Sequence, residues 1–278
     1  DAQIAAIGAY TPRLRIVAEE FEDAWGSFNA AGVKQKAVPE ADEDALTMGV
    51  EAAERALDVA GYSGADVCHL AFATTSPPMA EEDLSARLAN VLGVPDGVTT
   101  RTMTGSTRVG AQALNGALDA GPWGEKIGLV IISDCPKGAP DSDVEHAAGA
   151  GSAALVVDGD GPGKVLDRTS HVDTYPGTRF RTGGDDKTTG LGVTQYDREA
   201  FITTLGGAVD KLDDSLDDVD PAAVQPPPGK LPYRATAPPG IDADTIAAPG
   251  TVRPPADTAA ARACLRPAPA CHPAPHPH

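Results

Sequence analysis

KIGLVIISDCPKGAPDSDVEHAAGAGSAALVVD, residues 126–158, is the stretch whose reading decides the fold. Its opening, Lys126 to Asp134, is a continuous apolar run that predicts a strand buried on both faces. Ser152 to Asp158 reads the same way across a loop, and so do His69 to Thr75 and Gln3 to Tyr10, the last ending in a Thr-Pro turn. Helical patterns lie between these runs. From Asp44 to Ala60, Leu46, Val50, Ala53 and Leu57 recur at helical spacing, with Asp42 or Asp44 as cap and Gly61 as stop. Glu82 to Leu92 predicts a second helix. Thr107 to Ala120 predicts a third, with Val109, Ala113, Leu114, Ala117 and Leu118 apolar. Strand and helix thus alternate over residues 1–160 and close on two successive strands, the pattern of an α/β layer on a mostly parallel sheet with its site at the strand ends.

After Gly161 the pattern begins again. Residues 163–174, GKVLDRTSHVDT, read as a strand, a Gly- and Thr-rich loop follows, and a helix is expected from Gln195 to Leu216 with Phe201, Leu205, Val209, Leu212 and Leu216 as its apolar stripe. From Pro221 onward the chain holds 15 of its 25 prolines, and its last 28 residues contain no Lys, Glu, Phe, Tyr or Trp. Proline removes ladder donors and breaks helices, so residues 251–278 read as a Pro/Ala-rich tail of low complexity. Pro, Ala, Arg and His together are also what GC-rich codons give out of frame. The expected organisation is a first half over 1–160, a partial second half over 161–250, and the tail.

At 278 residues the chain can bury a large core. Its 40 acidic residues against 22 basic give a net charge of -18, with 28 Asp to 12 Glu and 14 Arg to 8 Lys. The charge is spread along the chain, as suits a solvated surface in high salt, where screening tolerates self-repulsion; a halophilic source is expected. Nucleic acid is not an expected partner, because phosphate neutralisation needs clustered Lys and Arg. Cys68, Cys135, Cys264 and Cys271 form no disulfide framework, there is no basic-then-apolar leader, and no run nears ~18 apolar residues. A reduced, cytoplasmic chain outside the membrane is expected. Metal binding is not: Cys264, Cys271, His272, His276 and His278 fit no zinc spacing. GDGPGK, residues 159–164, lacks the phosphate-loop spacing and reads as a turn.

IGAYTPRLRI (7–16), AWG (24–26), GVKQKAVPEADEDALTMGVEAAERAL (32–57), ISDCPKGAPDSDVEHAAGAGSAALVV (132–157) and GKLPYR (229–234), in that order, resemble archaeal 3-hydroxy-3-methylglutaryl-CoA synthases of the thiolase superfamily. The resemblance runs over roughly residues 3–250. It implies a duplicated αβαβα layered fold, here with an apparently incomplete second half, and usually a dimer. It also implies a chemistry in which acetyl-CoA acetylates a cysteine and the acetyl carbanion then attacks acetoacetyl-CoA. The thiolate would stand at a helix N-terminus, a glutamate would serve as base, and a histidine would polarise the second acyl group.

In this chain the three positions hold other residues. Within TGSTRVGAQAL (104–114) the nucleophile's place falls on Thr107, whose plain reading is a helix cap shared with Ser106. Within LAFATTSPPMAEEDL (70–84) the glutamate's place falls on Thr75, with Glu81 and Glu82 nearby at a helix start. Within AAVQPPPGKLPYR (222–234) the histidine's place falls on Gln225, or on Val224 with a shift of one. Lys230 matches the family lysine that contacts coenzyme A, and Arg234 lies one helical turn on; both also read as solvated cations. The family's other CoA-contacting arginine is replaced by Gly192 or Val193. His146 reads as a structural histidine and Cys135 as a small buried hydrophobe.

The resulting expectation is a condensing-enzyme scaffold that takes a coenzyme A thioester, with no covalent cofactor and impaired catalysis. Two alternatives stand beside it. One is a non-catalytic subunit, since the resemblance implies hetero-oligomers with a thiolase or synthase and an OB-fold protein. The other is an active acyltransferase with sequence errors at the three positions.

Overall fold

The computed structural model describes residues 1–30 and 33–213. Strands β1 (Gln3–Tyr10), β4 (Val67–Ala73), β5 (Thr99–Met103), β6 (Ile127–Asp134) and β7 (Gly151–Asp158) form one sheet in the order β1-β7-β6-β4-β5. β2 (Leu14–Val17) and β3 (Gln35–Val38) pair as a separate antiparallel ribbon, and helix α1 (Ala18–Trp25) follows β2. The sheet is mixed rather than mostly parallel: β4 runs parallel to β5 and β6, while β7 is antiparallel to β6 and β1. The reason lies in the connections. Long helical crossovers return a strand in parallel, whereas the link from β6 to β7 carries only the one-turn helix α5 (Asp143–Ala147) and brings β7 back antiparallel.

Helices cover both faces. Ile127, Leu129 and Ile131 of β6 and Leu70 and Phe72 of β4 face one core with α2 (Ala45–Ala60) and α3 (Leu84–Val91). The alternate residues Val130, Ile132, Ala71 and Ala73 face a second core with α4 (Val109–Ala120). Each fully buried Leu, Ile or Val contributes roughly 1.5–3 kcal/mol, so the two central strands dominate the stability of this layer. All eight residues of β6 are buried, as the apolar run predicts.

Local signals explain the helices. The Asp44 carboxylate accepts from the N–H groups of Leu46 and Thr47 at 2.8 and 2.9 Å, and Gly61 ends α2 in the left-handed conformation at φ 74°. α3 begins two residues later than expected, capped by Asp83, and α4 begins at Val109 rather than Thr107. α6 (Thr194–Val209) stops short of the expected Leu216. Asp210 and Asp213 follow it, and carboxylates at a C-terminus oppose the helix dipole. Phe201, Leu205 and Val209 are half-buried and Ala200 is buried. Residues 163–174 form no strand: a ladder needs a neighbour, and Gly163 alone has one, an isolated antiparallel bridge to Ile4. The turn read at 159–164 is thereby confirmed as the point where the chain folds back along β1. Leu212 lies past the helix, and Leu216, Gln225, Lys230, Arg234 and residues 251–278 lie outside the described residues.

α2 crosses β1 so closely that a Cβ on Gly8 would lie 2.2 Å from the Ala52 carbonyl oxygen and 2.4 Å from the Ala56 nitrogen. Ala52, Ala53 and Ala56 leave room for that approach by being small. The obstacle is backbone and has no rotamer to move. Gly8→Ala should therefore destabilise by about 3 kcal/mol, read as a lower urea midpoint at unchanged slope.

Candidate functional site

β4 and β6 run parallel, so their C-terminal ends emerge together, as the sequence reading requires of a site-bearing edge. There the fully buried Asp134, last residue of β6, meets the turn after β4. Its Oδ1 accepts from Thr74 Oγ1 at 3.0 Å, Thr75 N at 2.6 Å, Thr75 Oγ1 at 3.0 Å and Ser76 Oγ at 3.1 Å. The Cys135 N–H donates to Ser76 Oγ at 2.8 Å and completes the knot. Thr75 is thus a donor to a carboxylate where the resemblance places a carboxylate itself. The Cys135 thiol packs against the core under α2, and burial pushes its pKa up. It is half-buried and packs as a small hydrophobe, the reading the sequence favours.

A second cluster surrounds an open cavity of about 810 Å³. One wall is the turn entering α4, Ser106, Thr107 and Arg108; another is the loop with Asp141, Ser142 and Asp143; the third is α6, through Asp197, Ala200, Phe201 and Thr204. Thr107 is half-buried and does not cap α4. Ser106 Oγ accepts the Arg108 N–H at 3.3 Å, while the Thr107 hydroxyl has no partner among the described residues. The structure therefore brings Thr107 to a cavity wall and ties Thr75 into the Asp134 knot. Gly192, one of the two residues read at the place of the family arginine, also lines the cavity.

The Asp141 loop is braced from behind. Ser142 Oγ caps α5 through the Glu145 N–H, and the Asp141 N–H donates to Glu145 Oε2 at 2.6 Å. Asp141 itself holds a left-handed φ of 59°. His146 is fully buried between the rings of Phe21 and Phe28, at 4.7 and 5.4 Å. Its Nδ1 accepts the Asn29 N–H at 2.9 Å, which leaves Nε2 protonated and 3.4 Å from Asp141 Oδ1. The Lys36 ammonium donates to the Glu145 carbonyl and lies over the Phe21 ring; burial lowers its pKa, with Glu145 opposing. His146 is a structural histidine here, as expected from sequence, yet it stands directly behind a cavity residue. His69, buried and stacked on Trp123 at 5.4 Å, is a core histidine whose pKa is pushed down first by burial and then by Arg101.

Glu81 and Glu82 do not reach this site: both are exposed, and Glu82 pairs with Arg87. Among the described residues no group of three or more His, Cys, Asp or Glu could hold a metal ion, and no helix is long and apolar enough to cross a membrane.

Two carboxylates escaped the sequence reading. Asp134 had a usable signal, since a charge closing a strand buried on both faces must be hydrogen-bonded. Asp197 had none, because an acid in a helix's first turn usually serves the dipole. Here its pKa is raised, first by burial and then by Asp143. With the folded value raised above the unfolded one, Asp197 contributes stability that is complete below pH 3.8 and lost as pH rises through the folded pKa. Once ionised, above its folded pKa, it burdens the fold. Asp197→Asn should raise Tm at pH 7 and shift it far less near pH 3, as differential scanning calorimetry would show.

The chain is similar to the hydroxymethylglutaryl-CoA synthase of Pyrobaculum arsenaticum, 30% identical over 244 residues that cover 84% of this chain and 70% of the relative. It is also similar to the hydroxymethylglutaryl-CoA synthase of Thermococcus onnurineus, 35% identical over 158 residues, spanning 56% of this chain but 45% of that relative. Among solved structures, an HMG-CoA synthase complexed with CoA superposes with a TM-score of 0.82 at 17% identity, over 94% of this chain and 72% of that one. The 3-oxoacyl-[acyl-carrier-protein] synthase III of Aquifex aeolicus superposes with a TM-score of 0.79 at 15% identity, over 95% and 89%. The layered α/β architecture is therefore the thiolase-like fold. No protein-family model matches the chain.

Proposed function

Since the chain belongs to the hydroxymethylglutaryl-CoA synthase family, we propose that it binds an acyl-CoA thioester in the 810 Å³ cavity without forming the family's acyl-enzyme. The observation that carries this reading is Thr107, an alcohol on the cavity wall at the nucleophile's place. Acyl transfer needs an electron pair on the attacking atom. A thiol ionises near pH ~8.5 and a helix N-terminus brings it toward neutrality. A threonine hydroxyl stays protonated unless a base takes the proton as it attacks.

No base is hydrogen-bonded to Thr107 among the described residues. At the glutamate's place, Thr75 holds its own proton toward Asp134 and has no means of accepting one from an acetyl methyl group. Both half-reactions thus lack their proton carrier, whereas the space for a ligand is retained. Gln225, Lys230 and Arg234 extend the proposal as the polar replacement of the histidine and as the cations that would meet the phosphates of coenzyme A.

Isothermal titration calorimetry with coenzyme A and with acetyl-CoA tests the binding half. Saturable one-site binding of both, with no thiol released from acetyl-CoA above the buffer rate, is the expected result. Absence of binding refutes the ligand assignment, and thiol release at an enzymatic rate refutes the loss of chemistry.

A further inference from the structure

We infer that Ser170 is a phosphorylation site, its phosphate received by the Arg108 guanidinium and the Lys211 ammonium. The site stands apart from the acyl-CoA reading, and only its consequence for the cavity rests on that reading. Ser170 lies in the segment that reads as a strand and forms none. Residues 164–175 carry neither helix nor strand and hold their place through side chains, with Thr169 Oγ1 donating to the Ala208 carbonyl at 2.8 Å and Arg168 paired to Asp119 at 2.7 Å. Ser170 itself is exposed. An exposed segment without ladder bonds leaves its acceptor residue open to a modifying enzyme.

Two cations converge on this serine. Arg108, the N-cap residue of α4, donates from Nη2 to Ser170 Oγ at 3.1 Å, and Lys211, in the turn that ends α6, donates from Nζ to the Ser170 carbonyl at 3.0 Å. Neither forms an ion pair among the described residues. The carboxylates of the segment are turned elsewhere: Asp167 accepts the Asp213 N–H at 2.9 Å, and Asp173 lies 3.8 Å from His171 Nε2. In a chain of net charge -18, two cations thus share a hydroxyl and no counter-ion. A phosphate on that hydroxyl brings nearly two negative charges and three acceptor oxygens to the positive end of α4, where hydrogen bonds to an ionised acceptor are roughly twice as strong as neutral ones. A nucleoside triphosphate supplies the group: its γ-phosphorus bonds to Ser170 Oγ as the bond to the diphosphate breaks, and the hydroxyl proton passes to the base of the protein kinase that joins the two. Arg108 and Arg179 are the cations of the cavity lining. Holding Arg108 on the phosphate removes one of these charges from an anionic ligand, so the modification weakens binding in the cavity.

The full chain with phosphoserine installed at position 170 is compared with the unmodified chain by melting curves at one salt concentration, and the pair is repeated in Arg108→Gln/Lys211→Gln. The expected result is a Tm raised by about 4 °C by the phosphate and no rise in the double variant. An unchanged or lowered Tm, or a rise that survives the double variant, would overturn the inference. Phosphopeptide mapping of the chain isolated from the cells that make it should find the phosphate on Ser170; its absence there in every growth phase would overturn the assignment as well. Calorimetric titration of coenzyme A should show affinity about tenfold lower in the phosphorylated chain, and equal affinity would remove the control of the cavity. An unmodified chain that does not bind coenzyme A refutes the acyl-CoA reading alone, since melting and mapping still decide the site.

Discussion

Thr107→Cys should convert a chain that binds acetyl-CoA without reacting into one that carries a covalent acetyl group, the largest change any single substitution is expected to make here. The new thiol would stand in the turn that enters α4, two residues before its first residue Val109, beside the cavity. The unpaired N–H groups of a helix N-terminus stabilise a thiolate there. Lowering a thiol pKa from about 8.5 to about 7 raises the ionised fraction at pH 7 from a few per cent to about half. No comparable shift reaches an alcohol. The variant should therefore acquire the first half-reaction, in which the thioester bond to coenzyme A breaks as the bond to the introduced sulfur forms and the coenzyme leaves as its thiol. Condensation should remain absent, since a positioned general base contributes about 10²–10⁴-fold and Thr75 supplies none. Acetylation detected by peptide mass spectrometry at position 107, without consumption of acetoacetyl-CoA, is the outcome to look for.

Asp134→Ala should cost about 4 kcal/mol of folding stability, the upper range for a single site. In the folded chain the carboxylate is fully buried and gathers three side-chain hydroxyls and one backbone N–H from Thr74, Thr75 and Ser76. Removing it strands donors at the junction of β4 and β6, the two strands at the centre of both cores. Urea unfolding gives the cost. A double-mutant cycle with Thr74→Val then tests the knot as a unit: Thr74→Val should cost much less in Asp134→Ala than in the wild type. Additive costs would show that the hydroxyl and the carboxylate act independently.

The sheet was legible because its signals are local. Ile127 to Asp134 declares a doubly buried strand by composition, and Asp44 and Gly61 declare the ends of α2 by capping chemistry. Strand direction was less legible, since it depends on the connection through α5 rather than on the strands themselves. Residues 163–174 misled for a similar reason: a strand-like segment is only able to be a strand, and pairing beyond Gly163 is what the described fold does not provide. At the site, Thr75 and Thr107 became visible through resemblance alone, since nothing in a threonine advertises a missing glutamate or cysteine. Asp134 lies 59 residues from Thr75, a contact that only the parallel pairing of β4 and β6 creates. Asp197 looked like an ordinary acid of a helix start until the burial of its Oδ1 set it apart.

Intact-mass spectrometry of the wild-type chain after incubation with acetyl-CoA at pH 7 bears most directly on the loss of acyl-enzyme chemistry. The account predicts a mass unchanged from that of the untreated chain, since the alcohol at position 107 has no means of shedding its proton. A stoichiometric gain of one acetyl group, mapped to Ser106 or Thr107, would contradict it.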